Sequence, residues 1–146
     1  MPTLDEHLAD INGAFDAYMT ELRQSPAALW ETKPSGAAEG EEAWSARQVA
    51  EHLAGAATFF GAGIAMFVQV PGPERAAASY PTVDEAVKGT PEAHEKLLSV
   101  VRNIPPEKLA MEIEAPRLGK NTVSGFLGII AHHLRDHAGQ LKTLRG

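Results

Sequence analysis

From Leu4 onward the apolar residues of this chain recur in alternating steps of four and three: Leu4, Leu8, Ile11, Phe15, Tyr18, Leu22. Those steps bracket the 3.6-residue turn of an α-helix, so all six lie on one face. A similar rhythm returns in Val49, Leu53, Ala56, Phe60, Ile64 and Phe67. It returns again in Phe126, Ile130, His133, His137, Leu141 and Leu144. A chain patterned this way must bury helix faces against one another, and no segment shows the strict alternation of a half-buried strand.

The ends of the segments are marked as clearly as their faces. Thr3 is placed to cap the first helix, and Ser25-Pro26 ends it, because the residue before a proline is driven out of helical geometry. Residues 27–43, with Pro34, Gly36 and Gly40, read as a long connection. Ser45 can accept from the amide of Gln48 while the Gln48 side chain reaches back, a capping box that opens the second helix; Pro71-Gly72-Pro73 stops it. Thr82-Val83-Asp84-Glu85 has the form of another capping box, but Gly89-Thr90-Pro91 interrupts the pattern. Pro91 suits the first position of a new helix capped by Thr90, running through Leu97, Leu98 and Val101 to about Asn103. The third region is therefore expected to be a short helical turn followed by the main helix. Ile104-Pro105-Pro106 closes it, Pro106 to Met111 reads as a further short turn, and after a loop with Pro116 and Gly119 the last helix begins near Thr122. The reading is an all-α four-helix bundle, one domain over residues 1–146, with no convincing strand.

Composition narrows the function classes. With 44% hydrophobic residues among 146 the chain can bury about two-thirds of its unfolded surface. Its charge, 13 − 19 = −6 with histidines neutral, is the wrong sign for a nucleic-acid partner. There is no cysteine, so thiolate metal sites, disulfides and a cysteine nucleophile are excluded. That absence, and an N-terminus (Met-Pro-Thr-Leu-Asp-Glu) unlike a signal peptide, lead us to expect a cytoplasmic protein. Leu53 to Val70 is almost uncharged and nearly long enough to span a membrane. Its Ala and Gly content, Thr58, Gln69 and lack of a cationic flank favour a central, nearly fully buried bundle helix, so no membrane partner is expected.

The residues with chemistry are histidines. His133 and His137 occupy core positions of the last helix, one turn apart, so both imidazoles point the same way at nearly the same depth. That spacing suits two nitrogen ligands on one divalent ion; it also suits two core histidines bonded to neighbouring side chains. His52 lies in the first two turns of the second helix. If that helix runs antiparallel to the last, a third imidazole joins the pair and leaves positions for water or substrate. His132 is turned about 100° from His133, toward solvent or a neighbouring helix, and His7 and His94 are expected on surface-leaning positions. The spacing is not His-Glu-x-x-His of zinc proteases, since Leu134, Arg135 and Asp136 intervene. Asp136 is expected to face outward and pair with Lys or Arg; Glu51 is expected to be either an acceptor behind His52 or a solvated helix charge.

Two motifs carry a resemblance. Trp44-Ser45-Ala46-Arg47-Gln48-Val49-Ala50-Glu51-His52-Leu53 resembles the second-helix signature of the DinB/YfiT-like superfamily, and His133-Leu134-Arg135-Asp136-His137-Ala138-Gly139-Gln140-Leu141 resembles its last helix. Their order and separation agree over most of the chain. The resemblance implies an up-down-down-up bundle, often a homodimer, with His52, His133 and His137 holding nickel, zinc or another divalent ion. It also implies a small-molecule substrate and either hydrolysis or S-transfer from a low-molecular-weight thiol cosubstrate. No catalytic residue beyond the ligands is indicated. Arg47, Arg117 and Lys120 are candidates for contact with a carboxylate or the thiol. The alternatives are a non-catalytic metal-binding stress-response or binding module, and a bundle whose histidines hold no metal.

Overall fold

The computed structural model describes residues 1–36, 39–115 and 118–146. Four long helices, α1 (Leu4–Arg23), α2 (Ala46–Val68), α3 (Val83–Arg102) and α4 (Val123–Arg145), make an all-α bundle. α1 packs chiefly on α4, and α2 on α3. α1 and α4 run parallel: His7 meets Ser124 near both starts, and Glu21 meets Arg145 near both ends. α2 and α3 are also parallel, with Thr90 and His94 beside Ala54 and Ala57 and, further along, Gly61 close against Leu97. The two pairs oppose each other, since the start of α2 lies beside the middle of α4 while Ile64 lies near Phe126. This is the up-down-down-up order.

Each helix begins where its capping residue stands. Thr3 with Glu6, and Ser45 with Gln48, form complete capping boxes, and the Thr82 hydroxyl accepts from the Glu85 amide. α2 ends at Gln69, whose φ of 61° turns the chain into left-handed geometry. The Lys108 ammonium then donates to the Val68 carbonyl at 2.8 Å, placing a cation at the negative end of the helix. The connection over 27–43 contains two short 3₁₀ turns, Ala27–Leu29 and Gly40–Ala43. Trp30 anchors it from within: its carbonyl accepts from the Arg47 amide and its indole donates to the Tyr80 carbonyl.

Three sequence expectations need correction. The third region is not broken at Gly89-Thr90-Pro91; α3 is continuous, with Pro91 inside it. Burial of Ala86, Thr90, Leu97 and Val101 along one face outweighs the hydrogen bond that Pro91 removes. A hairpin, β1 (Glu112–Ala115) and β2 (Gly119–Thr122), stands where no strand was expected. Its antiparallel register sets Ile113 opposite Asn121, and it is tied to α4 by the Val123 amide on the Met111 carbonyl and the Ser124 amide on the Leu109 carbonyl. Finally, α2 is long and apolar enough to cross a membrane by length and composition, but only 39% of its most apolar window is buried. Val49, Leu53, Ile64 and Val68 enter the core, whereas Phe59 and Met66 face outward. The helix is less enclosed than its composition suggested.

Candidate metal centre

The capping box at Ser45 sets the phase of α2, and with it the direction of His52 about two turns later. α4 presents His133 and His137 toward the same point. The Nε2 atoms of His52 and His133 are 3.2 Å apart, and those of His133 and His137 are 3.0 Å apart. One ring nitrogen from each histidine can be chosen so that all three lie within 4.8 Å of one another. Tetrahedral ligands on zinc at ~2.0–2.1 Å would stand about 3.3 Å apart, close to the two short separations.

The surroundings of His133 and His52 favour neutral rings with free lone pairs. Burial pushes the His133 pKa down to about 3, helped by the neighbouring His137 and His52. Burial also lowers that of His52, with a smaller push from His137, while Glu41 acts in the other direction. His137 is the most enclosed of the three at 3% exposure. Its Nδ1 lies 2.8 Å from Gln140 Oε1, an acceptor that sets the Nδ1–H tautomer and leaves Nε2 unprotonated. The Gln140 amide nitrogen in turn donates to the Glu41 carbonyl at 2.6 Å, tying α4 to the Gly40–Ala43 turn. Aromatic rings hem the cluster: Trp44 lies 4.8 Å from His52, and Phe60 meets His133 edge-on at 5.7 Å.

His133 stands between two spaces. On one side an open cavity of about 510 Å³ is lined by Glu41, Glu42, Asp136, His137 and Gln140. On the other, a small cavity of about 20 Å³ runs into the core beside Phe15, Phe60, His94 and Leu97. The cluster is thus reachable from one face and backed by apolar packing on the other, the arrangement of a site that keeps a position for an exchangeable ligand.

The remaining expectations sort clearly. His132 is solvent-exposed, and it is His132, rather than a Lys or Arg, that pairs with the outward-facing Asp136 at 3.1 Å. Glu51 is neither an acceptor behind His52 nor a free charge; it binds the Arg47 guanidinium and accepts from the Tyr80 amide at 2.7 Å, joining α2 to the segment before α3. Arg47 is held between Glu31 and Glu51. Lys120 is exposed on β2 and does not line the cavity beside the histidines. Arg117 lies outside the described residues.

His7 and His94 are corrected from surface-leaning to buried, at 4% and 5% exposure. Both belong to stripes visible in the sequence: four residues back from Ile11 is His7, and three back from Leu97 is His94. His7 Nε2 meets Ser124 Oγ at 2.7 Å, and His94 stacks flat on Phe15 at 3.7 Å. Sequence reasoning missed Glu41 and gave Gln140 no role; Glu41 comes from the long connection, and its Oε1 lies 3.7 Å from His52 Nε2.

A bundle with this helix order and a three-histidine seam between its second and fourth helices is matched in sequence by the DinB superfamily over residues 4–141. The chain belongs to the DinB superfamily. Among solved structures, TT2238, described as a four-helix bundle protein, is 23% identical to this DinB-superfamily chain. The match covers 96% of this chain and 98% of that one, with a TM-score of 0.71, and establishes the shared fold. No curated protein matches this DinB-superfamily sequence.

Proposed function

We propose that His52, His133 and His137 hold one divalent metal ion, nickel or zinc, and that the chain is a metal-dependent enzyme acting on a small molecule. The observation that carries this reading is the convergence of three Nε2 atoms. Hydrogen bonding accounts poorly for it, because a neutral imidazole carries one proton and His133 Nε2 is close to two other Nε2 atoms at once. Three mutually facing lone pairs on partly or fully buried rings repel, and a shared cation removes that repulsion. Gln140 supports the reading by fixing the His137 tautomer that leaves Nε2 free.

A bound ion would supply Lewis-acid chemistry, lowering the pKa of a coordinated water or of a low-molecular-weight thiol cosubstrate. The chain's own residues would do the rest. Trp44 and Phe60 exclude water from the inner side of the cluster, while the open cavity admits substrate past Glu41, Glu42 and Asp136. Glu41 is the carboxylate best placed to accept a proton near His52. Hydrolysis and thiol S-transfer are both compatible with this set. The resemblance to the DinB/YfiT-like superfamily supports a homodimer, and the lack of cysteine supports a cytoplasmic location. A second reading, a non-catalytic metal-binding module, is favoured by the same Glu41 if its carboxylate closes the coordination sphere.

Elemental analysis of protein purified without a tag or added metal tests the shared premise. We expect close to one equivalent of a transition metal, or stoichiometric uptake of zinc or nickel by stripped protein. Less than about a tenth of an equivalent, with no uptake, would discard it. Thiol consumption with an electrophile, set against hydrolysis of ester and amide panels, then separates the two reactions. Loss of turnover on Glu41→Gln would mark Glu41 as a proton acceptor, whereas loss of metal instead would mark it as a ligand.

A further inference from the structure

On the opposite side of Phe60 from the histidines, the C-terminal half of α2 and the hairpin enclose an open groove of about 360 Å³. Its walls are almost wholly apolar: Phe59, Met66 and Phe67 from α2, Ile113 and Leu118 from the hairpin, and Phe126 from α4. Phe59, Met66 and Leu118 are among the few large apolar side chains the protein leaves exposed, Met66 at 71%. Concave apolar spaces of this size are where proteins take up small molecules. Gly63 also lines it; a Cβ there would meet nothing within 4 Å, so packing does not demand a glycine that weakens the helix.

Among the described residues, one charge stands on the groove. Arg75 is the sole ionisable residue among the described residues that line it, and it forms no ion pair among them. Its guanidinium carbon sits 4.5 Å over the Phe59 ring, which holds the cation at the rim of the apolar space. The carboxylates of Glu112 and Glu114 do not compete, because strand alternation turns them to the other face of β1 from Ile113. In a chain of net charge −6, an apolar trough ending in one guanidinium that has no ion-pair partner among the described residues matches an apolar body ending in one anion.

We propose that this groove binds a medium-chain monocarboxylate, its tail along Phe59, Phe67 and Phe126 and its carboxylate on Arg75. The alternatives fit less well. A membrane-binding face presents several cations together, whereas the described residues of the neighbouring hairpin expose Glu112 and Glu114 against the single cation Lys120, which stands opposite Glu114. Away from the groove, the large apolar side chains left exposed among the described residues are Met1 and Leu29, at opposite ends of α1, which form no ridge to fill it. The site is separate from the histidine cluster and does not depend on a metal there.

Isothermal titration of decanoate into the full chain, with and without zinc, tests the proposal. We expect saturable one-to-one binding in both cases, tightening about fourfold for each methylene added from octanoate to decanoate. Arg75→Gln should weaken decanoate at least tenfold and leave decanol unaffected. Gly63→Leu, whose Cβ meets no neighbouring atom, should abolish both while leaving the melting temperature no lower and the metal content unchanged. Absence of saturable binding overturns the proposal, as does equal affinity of wild type and Arg75→Gln for decanoate. So does a wild-type dimer that Gly63→Leu dissociates, which would place a second copy in the groove. Sedimentation with phosphatidylglycerol vesicles in the absence of decanoate binding would assign the face to a lipid surface and likewise end it.

Discussion

His94 offers a quantitative test of how the core is built. It is 5% exposed, stacks on Phe15 with the rings 1° from parallel, and its Nε2 has no hydrogen-bond partner among the described residues. Burial pushes its pKa down to about 4, against a partial upward pull from Glu95 and Asp16. In the unfolded chain the same group titrates near 6.5. Between those values the unfolded state binds a proton that the folded state refuses, so folding stability falls as pH drops from about 6.5 towards 4. The difference of about 2.5 units makes this loss about 2 kcal/mol between pH 7 and pH 5. His94→Phe keeps the stack and removes both the titration and the unpaired nitrogen, whose burial costs about 1–3 kcal/mol. The larger ring has room in the adjoining cavity of about 20 Å³. Urea unfolding of both proteins at several pH values, with chelator present, measures the effect. The variant should be at least as stable as wild type at pH 7.5, with its advantage growing by about 2 kcal/mol at pH 5. Contributions from groups other than His94 are common to both proteins and cancel in the difference. Parallel stability curves would show that His94 is protonated or bonded in the folded state, and the argument would fail.

Three further outcomes follow from the same geometry. His133→Ala and His52→Ala should each remove most bound metal while His132→Ala leaves it in place, as read by elemental analysis; equal loss in all three would show that the wrong member of the adjacent pair was chosen. Gln140→Ala should weaken metal affinity about 10–100-fold, measured by competition with a chromogenic chelator, because the His137 ring loses the acceptor that sets its tautomer. Ser124→Ala should cost about 1–3 kcal/mol in urea unfolding by leaving His7 Nε2 buried without its partner, and the cost should shrink in a His7→Leu background.

The helix faces and caps were legible because their causes are local. Ser45 and Gln48 cap α2 through residues three apart, and His133 and His137 share a face simply because one helical turn separates them. What escaped depends on contacts distant in sequence. The strand Glu112–Ala115 is four residues long and is held by its partner and by α4, so it carries little pattern of its own. Pro91 reads as a helix start in isolation, and only the packing of α3 on α2 keeps the helix running through it. Glu41 reaches the histidines from a 3₁₀ turn in the long connection, a position no helical period predicts. His7 and His94 are a different case. Their stripes are readable, but a polar side chain suggests exposure, whereas a neutral imidazole is equally able to be buried beside a hydroxyl or an aromatic ring.

The distribution of packing explains why chemistry gathers where it does. α1 with α4, and α2 with α3, form the two closely packed pairs, and their parallel sense leaves α2 and α4 to meet along a shorter, antiparallel seam. A seam that is not closed by large aliphatic side chains on both helices can hold polar groups without breaching either core. At one end it holds His52, His133 and His137, backed by Phe60 and Trp44. Further along α2 it opens into the groove between Phe59 and Phe126, with Phe60 and Ile130 shared by the groove and the space behind His133. Substitutions at this seam can therefore reshape the histidine cluster and the groove at little cost to the buried Tyr18, Leu97 and Leu127 that hold the bundle together. The same arrangement predicts an asymmetry: emptying the histidine cluster should leave a folded bundle, whereas a cavity at Leu97 should weaken the frame on which the cluster depends.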